Sequence, residues 1–215
     1  MLGSDIIDLV IVKMEEHSPF SIKPGEKMLA GGDIMEEIKP VYSYIETHLH
    51  EAADEALLAI PLQHLAEVKE NGNFVTIETD TDDSTICSIS KPYDWLRLYT
   101  LWLSSWQRPV HTVIYPEHPM YALQFNRYTR GTPQKPVVTD DGKFLHCYSI
   151  KDKSVVTFKE FSYISHFNDG IDYPREIAEL IALNTARKVY EVFGNTEQSS
   201  AMSNEIKVVL ENMKL

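Results

Sequence analysis

Residues 136–150 read PVVTDDGKFLHCYSI and carry the clearest local structural pattern in the chain. Asp141-Gly142 separates two short runs of strand-forming residues, and both of these central residues tolerate the positive φ of a tight hairpin turn. The pattern therefore predicts one strand at 136–139, a second at 143–150 and a third, antiparallel strand at 155–163.

Towards the N-terminus, alternating apolar residues predict two further strands, at 73–78 and 85–89. The segment 93–106 contains three tryptophans and several leucines. If it is helical, these side chains cover most of its circumference. We therefore predict a helix at 93–106 that is buried in its own fold or against a neighbouring subunit.

Both ends of the chain have helical patterns. Apolar spacing predicts a first helix at 4–16, capped by Ser4, and a long second helix that starts at Asp33. Near the C-terminus, the same spacing predicts a helix at 174–193 and a last helix capped by Ser200.

The order of these elements predicts an α+β protein with N-terminal helices, an antiparallel β-hairpin region in the second half and a C-terminal helical pair. We divide the chain into a helical part at 1–70, a mixed β region with the Trp-rich helix at 71–165, and C-terminal helices at 166–215. The length of 215 residues suits one large domain or one domain with an insertion, and we expect one compact unit with an extension.

The charge balance is strongly acidic, with 32 Asp and Glu against 20 Lys and Arg and a formal net charge of -12. This balance argues against a broad grip on DNA or RNA, which requires a basic face. An acidic wall repels phosphate and suits a channel that nucleic acid passes through, although simple solubility explains the same charge.

Targeting and cross-linking signals are sparse. The two cysteines do not form a disulfide framework. Residues 1–5 lack a basic leader followed by an apolar run, so we expect no signal peptide. No apolar stretch of about 18 residues exists, so we expect no membrane partner.

Motifs for catalysis or for cofactors are weak. His48, His50 and Asp54 are the most ligand-rich group, but His48 and His50 point away from each other on a helix, and no H-E-x-x-H frame surrounds them. The acidic residues 80–84 lack the glycine and the glutamate of a calcium loop. No nucleophile elbow or phosphate-binding glycine loop is present. We therefore predict no catalytic residue, no metal site and no cofactor.

One local cluster combines basic and aromatic side chains: Arg127, Tyr128, Arg130 and Lys135. It suits a loop that contacts a partner or a phosphate backbone. Equally, its arginines could bind backbone carbonyls and nearby acids within the same chain.

The three tryptophans of the predicted helix are the second candidate contact region. They are Trp95, Trp102 and Trp106. Tryptophan is enriched both in protein cores and at interface anchors. Their concentration in about 12 residues favours a subunit contact that lies next to a core.

Several segments together resemble a known class of protein. They are AADEALLAIPL (52–62), KPYDWLRLY (91–99), WQRPV (106–110), QFNRYTRGT (124–132) and KPV (135–137). Over residues 33–165 the chain resembles neck proteins of tailed bacteriophages, especially ring proteins of crAss-like phages. More loosely, it is similar to head–tail connector and gatekeeper proteins of short-tailed phages.

The resemblance implies a virion protein of the neck or tail region, made in the cytoplasm of the host bacterium. Proteins of this class form rings, commonly of twelve copies, that bind the portal and other neck or tail proteins. Double-stranded DNA passes through the ring without specific binding. Two alternatives stay open: a metal-dependent hydrolase that uses the segment from His48 to Asp54, and a small acidic adaptor protein.

Overall fold

A computed structural model describes residues 1–16, 34–69, 77–78, 86–150 and 156–214. Within these residues the chain has four helices and two small antiparallel sheets, so the predicted α+β class is confirmed. The chain divides into two compact units. The helical unit is Met1–Leu65 with His166–Leu215, and the sheet unit is Ala66–Ser165.

The helical unit is built around α3. Its helices are α1 (Gly3–Glu16), α2 (Ile34–Ala59), α3 (Arg175–Val192) and α4 (Thr196–Asn212), and α3 packs against each of the other three. Buried alanines on α3 allow the neighbouring helices to approach closely. No helix among the described residues is long and apolar enough to cross a membrane.

The predicted helix caps are wrong, although the helices themselves form. Ser4 lies inside α1, where the carboxylate of Asp5 instead accepts the N–H of Leu2. Ser200 lies inside α4, and its hydroxyl donates to the carbonyl of Thr196. The last helix begins earlier than predicted because Gly194, at φ +72°, reverses the chain directly after α3. Asp33 lies outside the described residues.

The sheet unit contains seven strands among the described residues. One sheet has the order β1 (Val68–Lys69), β7 (Phe158–Ser165), β4 (Trp95–Leu103). The other has the order β2 (Ile77–Glu78), β3 (Ile86–Ser90), β6 (Phe144–Tyr148), β5 (Val138–Asp140). All pairings between these strands are antiparallel.

The hairpin predicted from residues 136–150 is present as β5 and β6. Gly142 lies at its tip with φ +97°, a conformation that favours glycine. Asp141 stabilises the turn by accepting the backbone N–H groups of Lys143 and Phe144. This turn sets the register in which Asp140 faces Leu145.

The predicted Trp-rich helix is wrong, because residues 95–103 form strand β4. Its pairing with β7 shifts register at three places. Each shift of this kind adds a residue to one strand and disturbs the alternation of side chains between the two faces. Trp95, Leu98 and Leu101 are therefore all buried at a spacing of three, which imitates the period of a helix.

Candidate functional site

The loop at 126–135 lies between a short 3₁₀ turn, Ala122–Phe125, and strand β5. Asn126 organises its first half. The Asn126 carbonyl accepts the N–H groups of Thr129 and Arg130, and its side-chain oxygen accepts the N–H of Tyr128 at 3.0 Å. Local hydrogen bonds therefore fix the backbone that carries the basic and aromatic side chains.

Gln124 connects this loop to the turn that precedes it. Its side chain is 1% exposed. The Oε1 atom accepts the N–H of Gly131 at 2.9 Å, and Nε2 donates to the carbonyl of Met120 at 3.0 Å. The sequence analysis did not identify Gln124, since a single glutamine between apolar residues carries no recognisable signal.

Gly131 and Ser149 form the inner wall of the loop. A Cβ atom on Gly131 would lie 2.9 Å from the Cβ of Val137, so only glycine fits there without a shift of the neighbouring backbone. Ser149 has φ +59°, which is unusual for a residue other than glycine. Its hydroxyl donates to the Gly131 carbonyl, which ties the loop to the end of β6.

A tight turn closes the second half of the loop. Thr132 and Lys135 exchange backbone hydrogen bonds of 3.0 and 2.9 Å. The N–H of Gln107 also donates to the carbonyl of Pro133 at 2.9 Å, which joins the turn to the segment after β4. Lys135 is exposed on this turn.

Three of the predicted contact residues surround one pocket. Arg127, Tyr128 and Arg130 line a cavity of about 380 Å³ that opens to solvent. Tyr128 is 94% exposed, whereas Arg130 is only 9% exposed and belongs to the wall. The rest of the lining is Ser105, Gly131, Thr132, Pro133, Ser149 and Ile150, so Lys135 is not part of it.

The loop lies in the most basic part of the chain. Residues 95–139 contain five Lys and Arg residues and one acidic residue, Glu117. The remaining residues hold the other 31 of the 32 acidic side chains. The charge is thus distributed unevenly along the sequence, and seven of the nine residues that line the pocket lie within its positive segment.

Exposed apolar side chains accompany the basic ones. Tyr115, Met120, Leu123 and Phe125 are all large and exposed, and they occur within the eleven residues that end just before Asn126. Single exposed apolar residues are normal on a protein surface, whereas a local group of them marks an interaction site. Residues 115–128 therefore have the composition of a protein-binding surface.

Two of the three tryptophans are removed from the candidate contact surface by burial. Trp95 stacks on Tyr163, with ring centroids 5.7 Å apart. Trp106 is buried, and its indole N–H donates to the carbonyl of Tyr148 at 3.0 Å. Only Trp102 is partly exposed, and the ammonium of Lys159 lies 4.4 Å from its ring centroid.

Two side chains of the candidate metal segment, His50 and Asp54, interact with other residues of the chain. Asp54 accepts a hydrogen bond from the ring of His166 at 2.7 Å and from the N–H of Phe167 at 2.8 Å. His50 lies 3.6 Å from a carboxylate oxygen of Asp169. In the part of the chain that the structure describes, no three His, Cys, Asp or Glu side chains are placed to share a metal ion.

Ser88, His146 and Asp141 form a hydrogen-bonded chain that the sequence analysis missed. The Ser88 hydroxyl lies 2.8 Å from Nδ1 of His146, and Nε2 lies 2.9 Å from the Asp141 carboxylate. The carboxylate only accepts, so the neutral ring carries its proton on Nε2 and accepts from Ser88 through Nδ1. Because Ser88 is only 7% exposed, this trio braces the hairpin and does not present a nucleophile.

Neither a protein-family model nor a curated protein sequence matches this chain. Chemically, the loop offers a guanidinium group, an exposed phenol ring and several hydroxyls on a backbone that is already ordered. Those groups suit recognition of a protein surface better than they suit a reaction.

Proposed function

We propose that this chain is a structural subunit of the neck of a tailed bacteriophage. It assembles with copies of itself into a ring, joins the portal to the tail and lines the passage for double-stranded DNA. The observation that carries the proposal is the ordered loop at 126–135, which exposes Arg127 and Tyr128 on an otherwise acidic chain.

The separation of charge along the chain supports contacts between unlike surfaces. Two loops that faced each other would bring positive charge against positive charge, which opposes a symmetric dimer through this site. A loop that faces the acidic remainder of the next copy is attracted to it. Contacts of this head-to-tail kind close into a ring when the rotation between neighbours permits it.

The same charge distribution suits a passage for DNA. The net charge of -12 repels the phosphate backbone, so the walls of the ring do not retain the genome. The exposed arginine of the loop, Arg127, is engaged by the neighbouring subunit and is not offered to DNA. The copy number, commonly twelve in proteins that this chain resembles, is part of the proposal.

Native mass spectrometry of the purified protein, alone and mixed with the portal protein of the same phage, tests this function. We expect a closed high-order species in at least one of the two samples. Imaging of the assembled particle should then place that ring between portal and tail. A protein that stays monomeric in both samples contradicts the proposal, and a stable dimer favours the acidic-adaptor hypothesis.

Replacement of Tyr128 by alanine makes this test specific for the loop. The matched control is Tyr93→Ala, because Tyr93 is 100% exposed and lies outside the loop, in the turn before β4. We expect Tyr128→Ala to weaken the ring and Tyr93→Ala to leave it unchanged. Equal behaviour of the two variants would show that the loop is not the contact.

A further inference from the structure

The pocket beside the loop has the chemistry of a carboxylate site. Arg127 stands at its rim, and Ser105 and Thr132 add hydroxyl groups to its lining. We infer that the pocket receives the carboxylate of an Asp or Glu side chain from a second copy of this chain. This inference rests on the proposed function and identifies what one subunit recognises on the next.

Arg127 is the group that makes the pocket selective for anions. A guanidinium presents two parallel N–H donors that match the two oxygens of a carboxylate. Within the described part of the chain, no carboxylate is paired with Arg127. Its charge is therefore available to a partner, and the hydroxyls of Ser105 and Thr132 in the same lining are further possible donors.

The remaining lining favours an acidic side chain over a free phosphate. Pro133, Ile150 and the ring of Tyr128 supply apolar surface beside the polar groups. The methylene stem of Asp or Glu can pack on such surface, whereas a phosphate ion has no apolar part to bury. The volume of about 380 Å³ is also larger than a bare ion requires.

The acidic composition of this chain makes a second copy of it a suitable partner for the pocket. Residues outside 95–139 carry 31 acidic side chains, so every subunit that has this pocket also has acidic residues that can occupy the pocket of the next copy. The pocket and its occupant lie on different parts of the chain. Each subunit therefore gives one contact and receives one, as a head-to-tail ring requires.

The pocket wall is built before the partner arrives. The Gln124 amide holds the N–H of Gly131, and the Ser149 hydroxyl holds its carbonyl. Arg130, buried in the wall, limits the space open to the occupant. Because little ordering is left to do, binding of a carboxylate here carries a small entropic cost.

Titration of the isotope-labelled protein tests the chemistry of the pocket without any need for a ring. The probe is N-acetyl-glutamate, N-acetyl-glutamine is the neutral control, and inorganic phosphate at equal ionic strength is the competing anion. We expect N-acetyl-glutamate at millimolar concentration to shift the Nε–H signal of Arg127 and the amide signals of Ser105 and Thr132. Failure of these signals to move, or a stronger response to phosphate, overturns the inference.

Self-association of charge-reversal variants tests the identity of the partner. We expect Arg127→Glu to weaken association by about tenfold or more, and Arg127→Lys to weaken it less, since lysine keeps the charge but loses the two-pronged geometry. Arg175→Glu is the control, because it makes the same charge change at an exposed position on α3. Sedimentation velocity at matched concentrations measures all three variants.

Failure of the carboxylate contact and failure of ring formation give different experimental results. If the wild type forms rings and Arg127→Glu forms them equally well, the pocket is not the contact, and only the inference is overturned. If the wild type forms no ring, alone or with portal, the proposed function fails, and the assignment of a second copy as partner fails with it.

Discussion

Replacement of Gln124 by methionine should disorder the loop while leaving the rest of the sheet unit folded. Methionine has nearly the volume of glutamine but cannot donate or accept the two hydrogen bonds that Gln124 makes. Those bonds join Met120 to Gly131 through the side chain of Gln124. The substitution therefore removes the polar connection and almost nothing of the packing.

The expected cost follows from the two bonds. The carbonyl of Met120 loses one hydrogen bond, worth about 1 kcal/mol, and the N–H of Gly131 is left without its acceptor, which costs about 1–3 kcal/mol. Gln124 is 1% exposed, so water does not replace the hydrogen bond that its side-chain oxygen accepts from Gly131. We expect a loss of about 2–4 kcal/mol, which is a large share of the stability of a typical domain.

Hydrogen exchange at the N–H of Gly131 is the direct assay, because that group loses its acceptor. We expect it to exchange at least about tenfold faster in Gln124→Met, in line with a loss of more than 1.4 kcal/mol. The control is Gln134→Met, since Gln134 is exposed in the turn of the same loop. Unchanged exchange at Gly131, together with an unchanged unfolding midpoint in urea, would refute the role assigned to Gln124.

Three further predictions concern the framework around the site. Lys13→Met should destabilise the helical unit by about 1–3 kcal/mol in urea titrations. The Lys13 ammonium lies within 3.3 Å of the carboxylates of three glutamates, and the substitution leaves all three without this cation. Burial lowers the pKa of Lys13, but its hydrogen bonds to these glutamates raise the pKa by more, so the folded pKa lies above the ordinary value. The stabilising effect of Lys13 is therefore full below the ordinary lysine pKa of about 10.4 and is lost as pH rises through the higher folded value. Burial raises the pKa of Asp141, but backbone N–H donors and a neighbouring imidazole lower it by more, so the folded pKa lies below the ordinary Asp value of about 3.9. The stabilising effect of Asp141 is therefore present above that ordinary value and is lost as pH falls through the lower folded value. Asp141→Asn should remove this part of the acid sensitivity, as measured by circular dichroism. Trp106→Phe should lower the thermal midpoint more than Trp102→Phe. Trp106→Phe deletes the buried bond to the carbonyl of Tyr148, at a cost of about 2–3 kcal/mol, whereas the bond that Trp102 donates to the carbonyl of Trp106 is only partly buried.

Features that depend on near neighbours in sequence could be predicted. The turn at Asp141-Gly142 and the end of α3 at Gly194 follow from residues that tolerate positive φ, and both are present. The apolar spacing at 174–193 likewise predicted α3 within about two residues at each end. In these places the local pattern and the final fold require the same backbone.

Strand β4 shows where such reasoning fails. Three of its buried residues, Trp95, Leu98 and Leu101, are spaced by three because register shifts interrupt the alternation of a regular strand. The shifts are imposed by pairing with β7, which lies more than fifty residues further along the chain. The spacing of apolar residues in 93–106 alone cannot distinguish a bulged strand from a helix, since both can bury residues that are three apart.

The candidate site was predictable only in its local half. Arg127, Tyr128 and Arg130 are close in sequence, so their cluster could be recognised. The parts that turn this cluster into a pocket come from elsewhere: Ser105 follows β4, and Ser149 follows β6. Similarly, Ser88 and His146 meet only through the register of two strands, which composition does not reveal.

The loop separates the residues that build it from the residues that it offers to a partner. Gln124 and Gly131 lie inside and hold the backbone, whereas Tyr128 is almost fully exposed and adds little to folding. Substitutions of the first kind should therefore lower stability and binding together, and substitutions of the second kind should lower binding alone. A loop that formed only on contact would mix the two effects, because ordering and binding would then draw on the same free energy. The different responses of Gln124→Met and Tyr128→Ala thus decide whether the surface exists before its partner does.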